Sequence, residues 1–289
     1  MTNEQTLEFL TTAANQHASD IFIIAGRPLS IKVDGHLTNH GERLMPDDTK
    51  QILESIYQMA NNRDLNRLLN TGDDDFSFSI PGLSRFRINA YKQRGSLAAV
   101  IRVIAFQLPD PSELSIPDDV MQTADYTKGM VLVTGSAGSG KSTTMACLID
   151  RINHSREGHI ITLEDPLEYL HRHDRCIVSQ REICTDTENY LTSLRATLRQ
   201  SPDVILLGEM RDHETIQTAM TAAETGHLVL SSLHTLGAAN SISRIIDVFE
   251  PAQQHQIIVQ LSMVLQAVIS QQLIPDVNGK VIPVFEVMR

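Results

Sequence analysis

The spacing of hydrophobic residues along the chain changes character near residue 108. Up to that point, apolar residues at helical spacing are mixed with short alternating runs that are typical of half-buried strands. We predict helices at Glu4–Ala14, Thr49–Tyr57 and Arg63–Leu69, and strands at Ser19–Ile24, Leu29–Val33, Arg85–Lys92 and Leu97–Ile104. The four residues between the last two strands favour a hairpin. Residues 1–107 are therefore predicted to form a small α+β domain.

After residue 120, apolar strands alternate with helices. Strands are predicted at Met130–Thr134, His159–Leu163, Val204–Leu207 and Leu228–Leu230, and helices near Lys141–Asn153, Tyr190–Gln200 and Glu214–Glu224. Near-continuous apolar strands separated by helices indicate a parallel sheet covered on both faces. A long helix is predicted from Ala252 to about Gln272, and one or two antiparallel edge strands within Gly279–Met288. Residues 120–289 are therefore predicted to form an α/β domain.

The stretch 108–119, LPDPSELSIPDD, separates the two patterns. Its prolines and acids are typical of an extended linker. We predict a boundary between two domains here, with residues 108–119 as the connection.

Composition narrows the class of protein. The formal net charge is -11, which argues against a surface built mainly to neutralise the phosphates of a nucleic acid, so no nucleic-acid partner is expected. No run of about 18 apolar residues occurs, and the N-terminus lacks the basic start and apolar stretch of a signal peptide. We therefore expect a cytoplasmic protein that does not insert into a membrane by itself.

The most specific motif is Gly135-Ser-Ala-Gly-Ser-Gly-Lys141-Ser142, which matches GxxxxGK[ST] at every fixed position. It follows a predicted strand and opens a predicted helix, so backbone N–H groups and the helix N-terminus face a bound phosphate. Lys141 is expected to reach the β- and γ-phosphates, and the Ser142 hydroxyl to ligate Mg²⁺. The predicted nucleotide-binding residues are Ser136, Ala137, Gly138, Ser139, Gly140, Lys141, Ser142 and Thr143. The sequence therefore predicts an ATP site.

Two acidic positions follow neighbouring strands. Glu209 comes just after the strand Val204–Leu207, where a Walker-B acid would hold Mg²⁺, partly through water. Glu164 and Asp165 follow the strand His159–Leu163 and precede Pro166, so we expect them on a loop at the same edge. One of these carboxylates can polarise an attacking water, whereas each acid alone also fits a solvated loop end.

Two histidines bracket the next apolar segment. His234 follows LVLSSL on the expected nucleotide edge, where an imidazole can hydrogen-bond a γ-phosphate and respond to its loss. His227 precedes the segment and is a weaker candidate for the same contact. Alone, either residue fits a structural histidine.

Four segments together resemble the secretion ATPase superfamily, and most closely the PilT-like type IV pilus retraction ATPases. They are GSAGSGKST, ITLEDPLEY, ILLGEMRD and TAAETGHLVLSSLHT, in that order. In the first domain, HASDIFI, IKVDG and RFRINAYKQRG also resemble segments of that family. The resemblance covers nearly the whole chain. It implies an N-terminal PAS-like domain, a flexible linker and a RecA-like ATPase core with a mainly parallel sheet.

The resemblance also implies residue roles and partners. Glu164 would be the catalytic base and Glu209 the Walker-B acid, with Arg87, Arg94 and Arg102 as candidate γ-phosphate arginines; a solvated or ion-paired role is the alternative for these three. The family assembles as homo-hexamers and acts on an inner-membrane platform protein (PilC-like). This implies a peripheral position at the inner face of the cytoplasmic membrane.

The resemblance favours pilus retraction over the related functions, because the tetracysteine zinc insert of many assembly and secretion members is missing. Ser232 stands where many relatives have Thr. The C-terminal helical region of retraction ATPases, with its AIRNLIRE-like motif, is not found in residues 1–289. The alternatives are a pilus assembly or type II secretion ATPase, a nucleic-acid translocase and a non-enzymatic nucleotide-binding regulator.

Overall fold

The computed structural model describes residues 2–33, 35–104, 108, 110–277 and 281–289. The chain forms two compact units, residues 1–107 and 108–289. The mixed α/β fold class predicted from the sequence is confirmed: the first unit contains an antiparallel sheet, and the sheet of the second is mostly parallel.

Unit 1 contains three described helices and a six-stranded sheet. The helices are α1 (Asn3–Asn15), α2 (Pro46–Met59) and α3 (Asn66–Thr71), and the strands are β1 (Asp20–Ile23), β2 (Pro28–Val33), β3 (His36–Arg43), β4 (Asp73–Ile80), β5 (Ser84–Gln93) and β6 (Ser96–Ile104). The strand order is β3-β2-β1-β6-β5-β4, with antiparallel neighbours. Leu10 of α1 and Ile56 of α2 join Phe86 and Ile88 of β5 in the buried core, so the helices cover one face of the sheet.

Two strands of unit 1 do not follow from the hydrophobic pattern. Every position of β3 is polar except Leu37 and Gly41, and it pairs at the sheet edge with β2. In β4, Phe76 and Phe78 alternate toward the core, but the preceding aspartates read as a loop. Strand pairing therefore overrides weak local propensity at both edges.

Asp74 of β4 is buried, and it has a complete set of partners. Its carboxylate accepts hydrogen bonds from Arg63 Nε (2.9 Å) and Nη2 (2.8 Å) and from the Tyr57 hydroxyl (2.9 Å), and Arg67 Nε lies 3.3 Å away. Desolvation by burial would raise its pKa, but these hydrogen bonds and positive charges together hold the pKa of Asp74 below its ordinary value. The cluster fastens β4 to α2 and the segment that follows it.

Unit 2 is built on a seven-stranded sheet. Its helices are α4 (Asp118–Met121), α5 (Lys141–Ser155), α6 (Tyr190–Thr197), α7 (His213–Glu224), α8 (Ala238–Asp247) and α9 (Pro251–Val264), and its strands are β7 (Gly129–Thr134), β8 (Gly158–Glu164), β9 (Cys176–Glu182), β10 (Val204–Leu207), β11 (Leu228–Leu233), β12 (Leu265–Pro275) and β13 (Val281–Met288). The order is β13-β12-β7-β11-β10-β8-β9, and all pairs except β12–β13 are parallel. Separate apolar clusters pack on the two faces. The carboxyl ends of β7, β8, β10 and β11 therefore meet at one edge of the sheet.

The predicted long helix from Ala252 to Gln272 is wrong in its second half. Helix α9 ends at Val264, and β12 begins at Leu265 and pairs in parallel with β7. Apolar residues continue across the junction, so the helical spacing hides it, and the β-branched pair Val268–Ile269 is the local sign of a strand. The predicted edge strand is present as β13, antiparallel to β12; Gly279 lies outside the described residues.

Strand β9 and helix α8 were not expected from the sequence, and α4 begins inside the predicted 108–119 linker. Ile116, also within that stretch, packs into the core of unit 2 beside Val120 and Met121. Across the part of the chain that the structure describes, every helix is too short or too polar to span a lipid bilayer.

Candidate functional site

The glycine-rich loop joins the end of β7 to the start of α5. Helix α5 begins at Lys141, and its N-cap Gly140 has a φ of 86°, a conformation that a side chain disfavours. The free N–H groups of the first helical turn therefore face the loop, an arrangement that binds anions. Ala137, Gly138, Lys141 and Ser142 line a cavity of 320 Å³ at this edge of the sheet.

Lys141 is folded back onto the loop that carries it. Its Nζ donates to the carbonyl oxygens of Gly135 (2.9 Å) and Ser136 (2.8 Å) and lies 3.5 Å from His234 Nδ1. Burial lowers the pKa of Lys141, and the charges of Glu168 and Glu209 partly oppose this. A phosphate oxygen accepts more strongly from an ammonium than a backbone carbonyl does. An incoming phosphate would therefore compete well for this side chain.

Three other residues of the loop have surroundings different from those of Lys141. The Ser139 hydroxyl is buried and has no hydrogen-bond partner within the described ranges. Thr143 Oγ1 shares a hydrogen bond of 2.8 Å with the Tyr169 hydroxyl. Gly140 and Thr143 line a second cavity of 330 Å³ beside the loop, with Leu114, Ile116, Leu273, Ile282 and Pro283 among its apolar lining residues. The loop thus separates a polar cavity from a largely apolar one.

Glu209 follows β10 and lies in the first cavity, as the sequence predicts. Its carboxylate pairs with Arg211 Nη2 at 2.7 Å and with His234 Nε2 at 3.2 Å. The Ser232 hydroxyl donates to the carbonyl of Gly208 at 2.6 Å and so ties β11 to this turn. Serine supplies the required hydroxyl here, so the change from threonine is a small one. Asp203 lies at the other end of β10, where it accepts from the His159 N–H (2.8 Å).

Glu164 is the last residue of β8 rather than a loop residue, while Asp165 and the cis peptide to Pro166 follow it. It lines the same cavity as Lys141 and Glu209. Burial raises the pKa of Glu164 to about 7; side-chain hydrogen bonds partly oppose the rise, and the weaker influence of the Glu168 and Glu182 charges adds to it. A carboxylate with a pKa near neutrality is suited to accept a proton from water.

The two histidines are separated by the length of β11. His234 follows the strand and bridges Lys141 and Glu209. His227 precedes it, beside the start of β7, and its Nδ1 contacts the carbonyl of Ala222 at 2.8 Å. Because β7 and β11 are parallel, the start of the strand is the edge away from the glycine-rich loop. The structure therefore does not bring His227 to the loop of its own chain.

The three candidate arginines belong to unit 1. Arg87 of β5 lies directly opposite Arg102 of β6, so both side chains project from the face away from the helices. Arg102 Nε lies 3.4 Å from Asp20 on β1. Arg94 lies in the hairpin turn with a φ of 49°. Arg87 and Arg102 thus form one basic patch on the sheet, while Arg94 lies apart from it at the hairpin end of the two strands.

Several residues of the first cavity were not singled out from the sequence. Arg211 holds Glu209, and the side chains of Glu168, Tyr169, His171 and Tyr190 complete the wall. Burial lowers the pKa of His171 to about 4, and its Nδ1 has no partner among the described residues. Arg211 belongs to the segment ILLGEMRD, but the spacing of that segment does not show that the arginine side chain pairs with Glu209.

One cavity thus brings together a glycine-rich loop, a lysine, two carboxylates and a histidine. Known proteins share these features of sequence and structure. The model of the type II/IV secretion system protein family matches residues 3–281. The chain belongs to the type II/IV secretion system protein family. The resemblance noted in the sequence is confirmed.

Individual members of this family are similar over most of the chain. It is 43% identical over 281 residues to the type IV pilus retractation ATPase PilT of Pseudomonas aeruginosa, covering 97% of this chain and 81% of that protein. It is 40% identical to a twitching motility protein of Neisseria gonorrhoeae, over 95% of this chain and 74% of that protein. The crystal structure of the pilus retraction motor PilT with bound ADP superposes with a TM-score of 0.87 at 44% identity, covering 98% of this chain and 82% of that one.

Proposed function

We propose that this chain is a P-loop ATPase that works as one subunit of a homo-hexameric motor and hydrolyses Mg-ATP to power type IV pilus retraction and twitching motility. The observation that carries the proposal is the convergence of Lys141, Glu164, Glu209 and His234 on the cavity beside the glycine-rich loop. The similarity to a pilus retractation ATPase over nearly the whole chain supports the choice of process.

The two cavities beside the loop suit the two ends of ATP. The phosphates would lie in the polar cavity, where Lys141 and the first turn of α5 meet them. The base would lie in the apolar cavity beyond Gly140 and Thr143. Mg²⁺ takes most of its ligands from phosphates and water, so the Ser142 hydroxyl and the Glu209 carboxylate are sufficient protein partners. When bound, the ion would neutralise charge on the β- and γ-phosphates.

Glu164 acts as the general base in this proposal. It takes a proton from the water whose oxygen attacks the γ-phosphorus, and ADP leaves as the bond to its β-phosphate oxygen breaks. With Mg²⁺ bound, the Glu209 carboxylate would help to hold the hydrated ion in place of its contacts with Arg211 and His234. His234, which contacts both Lys141 and Glu209, then responds to the presence or loss of the γ-phosphate.

The mechanical step uses a second subunit and a partner. Arg87 and Arg102, with Arg94 in a lesser role, neutralise γ-phosphate charge at subunit boundaries, where such an arginine is worth about 10³–10⁵ in rate in GTPases. The predicted linker 108–119 connects the two domains, and nucleotide state sets their arrangement through its first part, because Ile116 and the start of α4 already belong to unit 2. The ring works at the inner face of the cytoplasmic membrane on a PilC-like platform protein.

The deciding experiment measures Mg-ATPase rate per subunit as a function of protein concentration. We expect the rate to rise with concentration as rings form, and to fall about 10²–10⁴-fold in Glu164→Gln, the usual worth of a general base. The exposed Glu157→Gln is the matched control and should behave as wild type. A rate that does not depend on concentration would exclude catalysis between subunits. Full activity in Glu164→Gln would remove the role of this residue as base.

A pilus assembly or type II secretion ATPase of the same superfamily is the alternative, because the matched family includes type II secretion system proteins. Complementation of a strain that assembles pili but cannot retract them separates the two functions. Restored twitching supports retraction, whereas restored piliation in an assembly-deficient strain supports the alternative.

A further inference from the structure

Gln271 on β12 is buried against the glycine-rich loop, although it belongs to none of the nucleotide-binding motifs. Its side chain is 3% exposed, and its Oε1 accepts a hydrogen bond of 2.7 Å from the Thr144 hydroxyl in the first turn of α5. Thr144 itself is fully buried. An amide and a hydroxyl enclosed in this way gain a hydrogen bond that water cannot replace.

Two glycines of the loop lie directly against this residue. A β-carbon on Gly140 would come within 2.8 Å of Gln271 Nε2, and one on Gly135 would overlap the Gln271 carbonyl oxygen. The first and last fixed glycines of the motif therefore give room to β12 as well as to a phosphate. Gln271 thus contacts both ends of the loop and the helix turn that follows it.

Ser270, the neighbour of Gln271 on β12, contacts the segment that follows His234. Ser270 Oγ accepts from the Gly237 N–H at 2.8 Å, and the carboxylate of Glu286, opposite Ser270 on β13, accepts from the Ala238 N–H at 3.2 Å. Gly237 and Ala238 lie just beyond His234. Adjacent side chains of β12 therefore fasten the glycine-rich loop on one face of the sheet and the segment after His234 on the other.

We propose that Gln271 is a positioning residue of the ATPase reaction: it fixes Gly140 and the first turn of α5 so that their N–H groups converge on the phosphates before nucleotide binds. Groups held in place beforehand need no reorganisation when charge arrives, and a loop with three glycines cannot hold itself rigid. Gln271 and Thr144 also line the apolar cavity assigned above to the base, and the effect of Gln271 on the phosphates runs through Thr144 and Gly140. The inference rests on the proposed function.

The test is a double-mutant cycle between Gln271 and Thr144, read out as ADP affinity and kcat for Mg-ATP. Gln271→Met keeps the volume and removes the amide, and Thr144→Val keeps the shape and removes the hydroxyl. We expect each to raise the Kd for ADP about tenfold, the scale of one hydrogen bond, and the double variant to be no worse than either single one. Thr144→Ser, which keeps the hydroxyl, should return the Kd to near the wild-type value.

Two readouts distinguish positioning of the loop from general damage and from a direct contact between Gln271 and the base. Gln272→Met, at the next and exposed position of β12, should leave the Kd unchanged, and binding of AMP, which has no β-phosphate to place in the loop, should change little in Gln271→Met. Wild-type ADP affinity in Gln271→Met, or additive losses in the double variant, would overturn the inference while leaving the ATPase proposal intact. Failure of the wild type to bind ADP would overturn both.

Discussion

The carboxylates of Asp74 in unit 1 and Glu209 in unit 2 both have arginine neighbours, and both are largely withdrawn from water. The Asp74 side chain is 0% exposed and is paired with Arg63, Arg67 and Tyr57. The Glu209 side chain is 13% exposed, but its partner Arg211 is 76% exposed and both border an open cavity. A partner on the surface can leave at little cost, whereas one that shares a closed cluster cannot.

The comparison separates two uses of charge. Around Asp74, every interaction is made within the folded unit, so the cluster contributes to stability and has nothing left to bind. Around Glu209, the contacts with Arg211 and His234 are replaceable, and desolvation shifts the pKa of Lys141 downward and that of Glu164 upward. Desolvated charges beside a cavity are typical of a binding or catalytic site. Substitutions in the two clusters should therefore have opposite consequences for stability and activity.

Between the two clusters, the larger effect on activity is expected from Lys141→Met. The ATPase rate should fall about 10³-fold, the upper range for removing one preorganised donor to developing charge. The midpoint of urea unfolding should stay the same or rise, because a desolvated ammonium is replaced by an apolar side chain. The exposed Lys128→Met is the control. A large drop in the unfolding midpoint would mean that Lys141 has a structural role like that of Asp74.

Asp74→Ala should show the reverse. We expect unit 1 to lose about 3 kcal/mol of unfolding free energy, because removing one partner leaves Arg63 and the Tyr57 hydroxyl uncompensated. The pKa of Asp74 is depressed below its ordinary value of 3.8. Its stabilisation is therefore present above that value and is lost as pH falls through the depressed pKa. Urea titrations at neutral and acidic pH measure both effects, with the exposed Asp73→Ala as control. Equal stability of the two variants would contradict the structural role of the cluster.

The functional cluster was easier to predict from the sequence than the structural one. Motif spacing and strand order together place Lys141, Glu209 and His234 at one edge, because the carboxyl ends of parallel strands meet there. Asp74 reads as part of an acidic loop, since its burial depends on Arg63 and Tyr57, which only the folded chain brings to it. The local sequence pattern identifies the residues of a motif, but it does not identify the residues that pair with an isolated acid.

Long-range pairing also explains what sequence reasoning missed within unit 2. Gln271 reads as a helical residue, because helical spacing continues past the end of α9 at Val264 and outweighs the weak strand signal of Val268–Ile269. Its contact with Thr144 joins positions 127 residues apart. The positions of the two histidines depend on pairing in the same way: the segment suggests a site, but only the direction of β11 decides which histidine reaches the loop of its own chain. Motifs therefore indicate candidate site residues, whereas strand pairing decides at which edge of the sheet each of them lies.

A smaller effect, and the most direct test of how the two clusters differ, is the pH dependence set by Glu164. The free protein holds this carboxyl at a pKa of about 7 because of burial. The base is active when ionised, so kcat/KM should rise about tenfold per pH unit below that value and level off above it. The pH profile is measured with saturating Mg²⁺ and repeated in Glu164→Gln. The rise of kcat/KM below pH ~7 should be missing from the residual activity of the variant if Glu164 is the titrating group. The same rise in both proteins would assign the titration to another group of the cavity.

The same shift has a consequence for stability that is opposite in sign to that of Asp74. The folded chain keeps the Glu164 proton up to about 7, whereas the unfolded chain releases it near the ordinary value of 4.5. Between these values the folded state binds more protons, so this group lowers stability as pH rises. Glu164→Gln should therefore unfold at a higher urea concentration than wild type above pH ~7, and the difference should disappear below pH ~4.5. An unchanged midpoint above that upper limit would mean that the carboxyl is solvated, and its assignment as a base tuned by burial would fail with it.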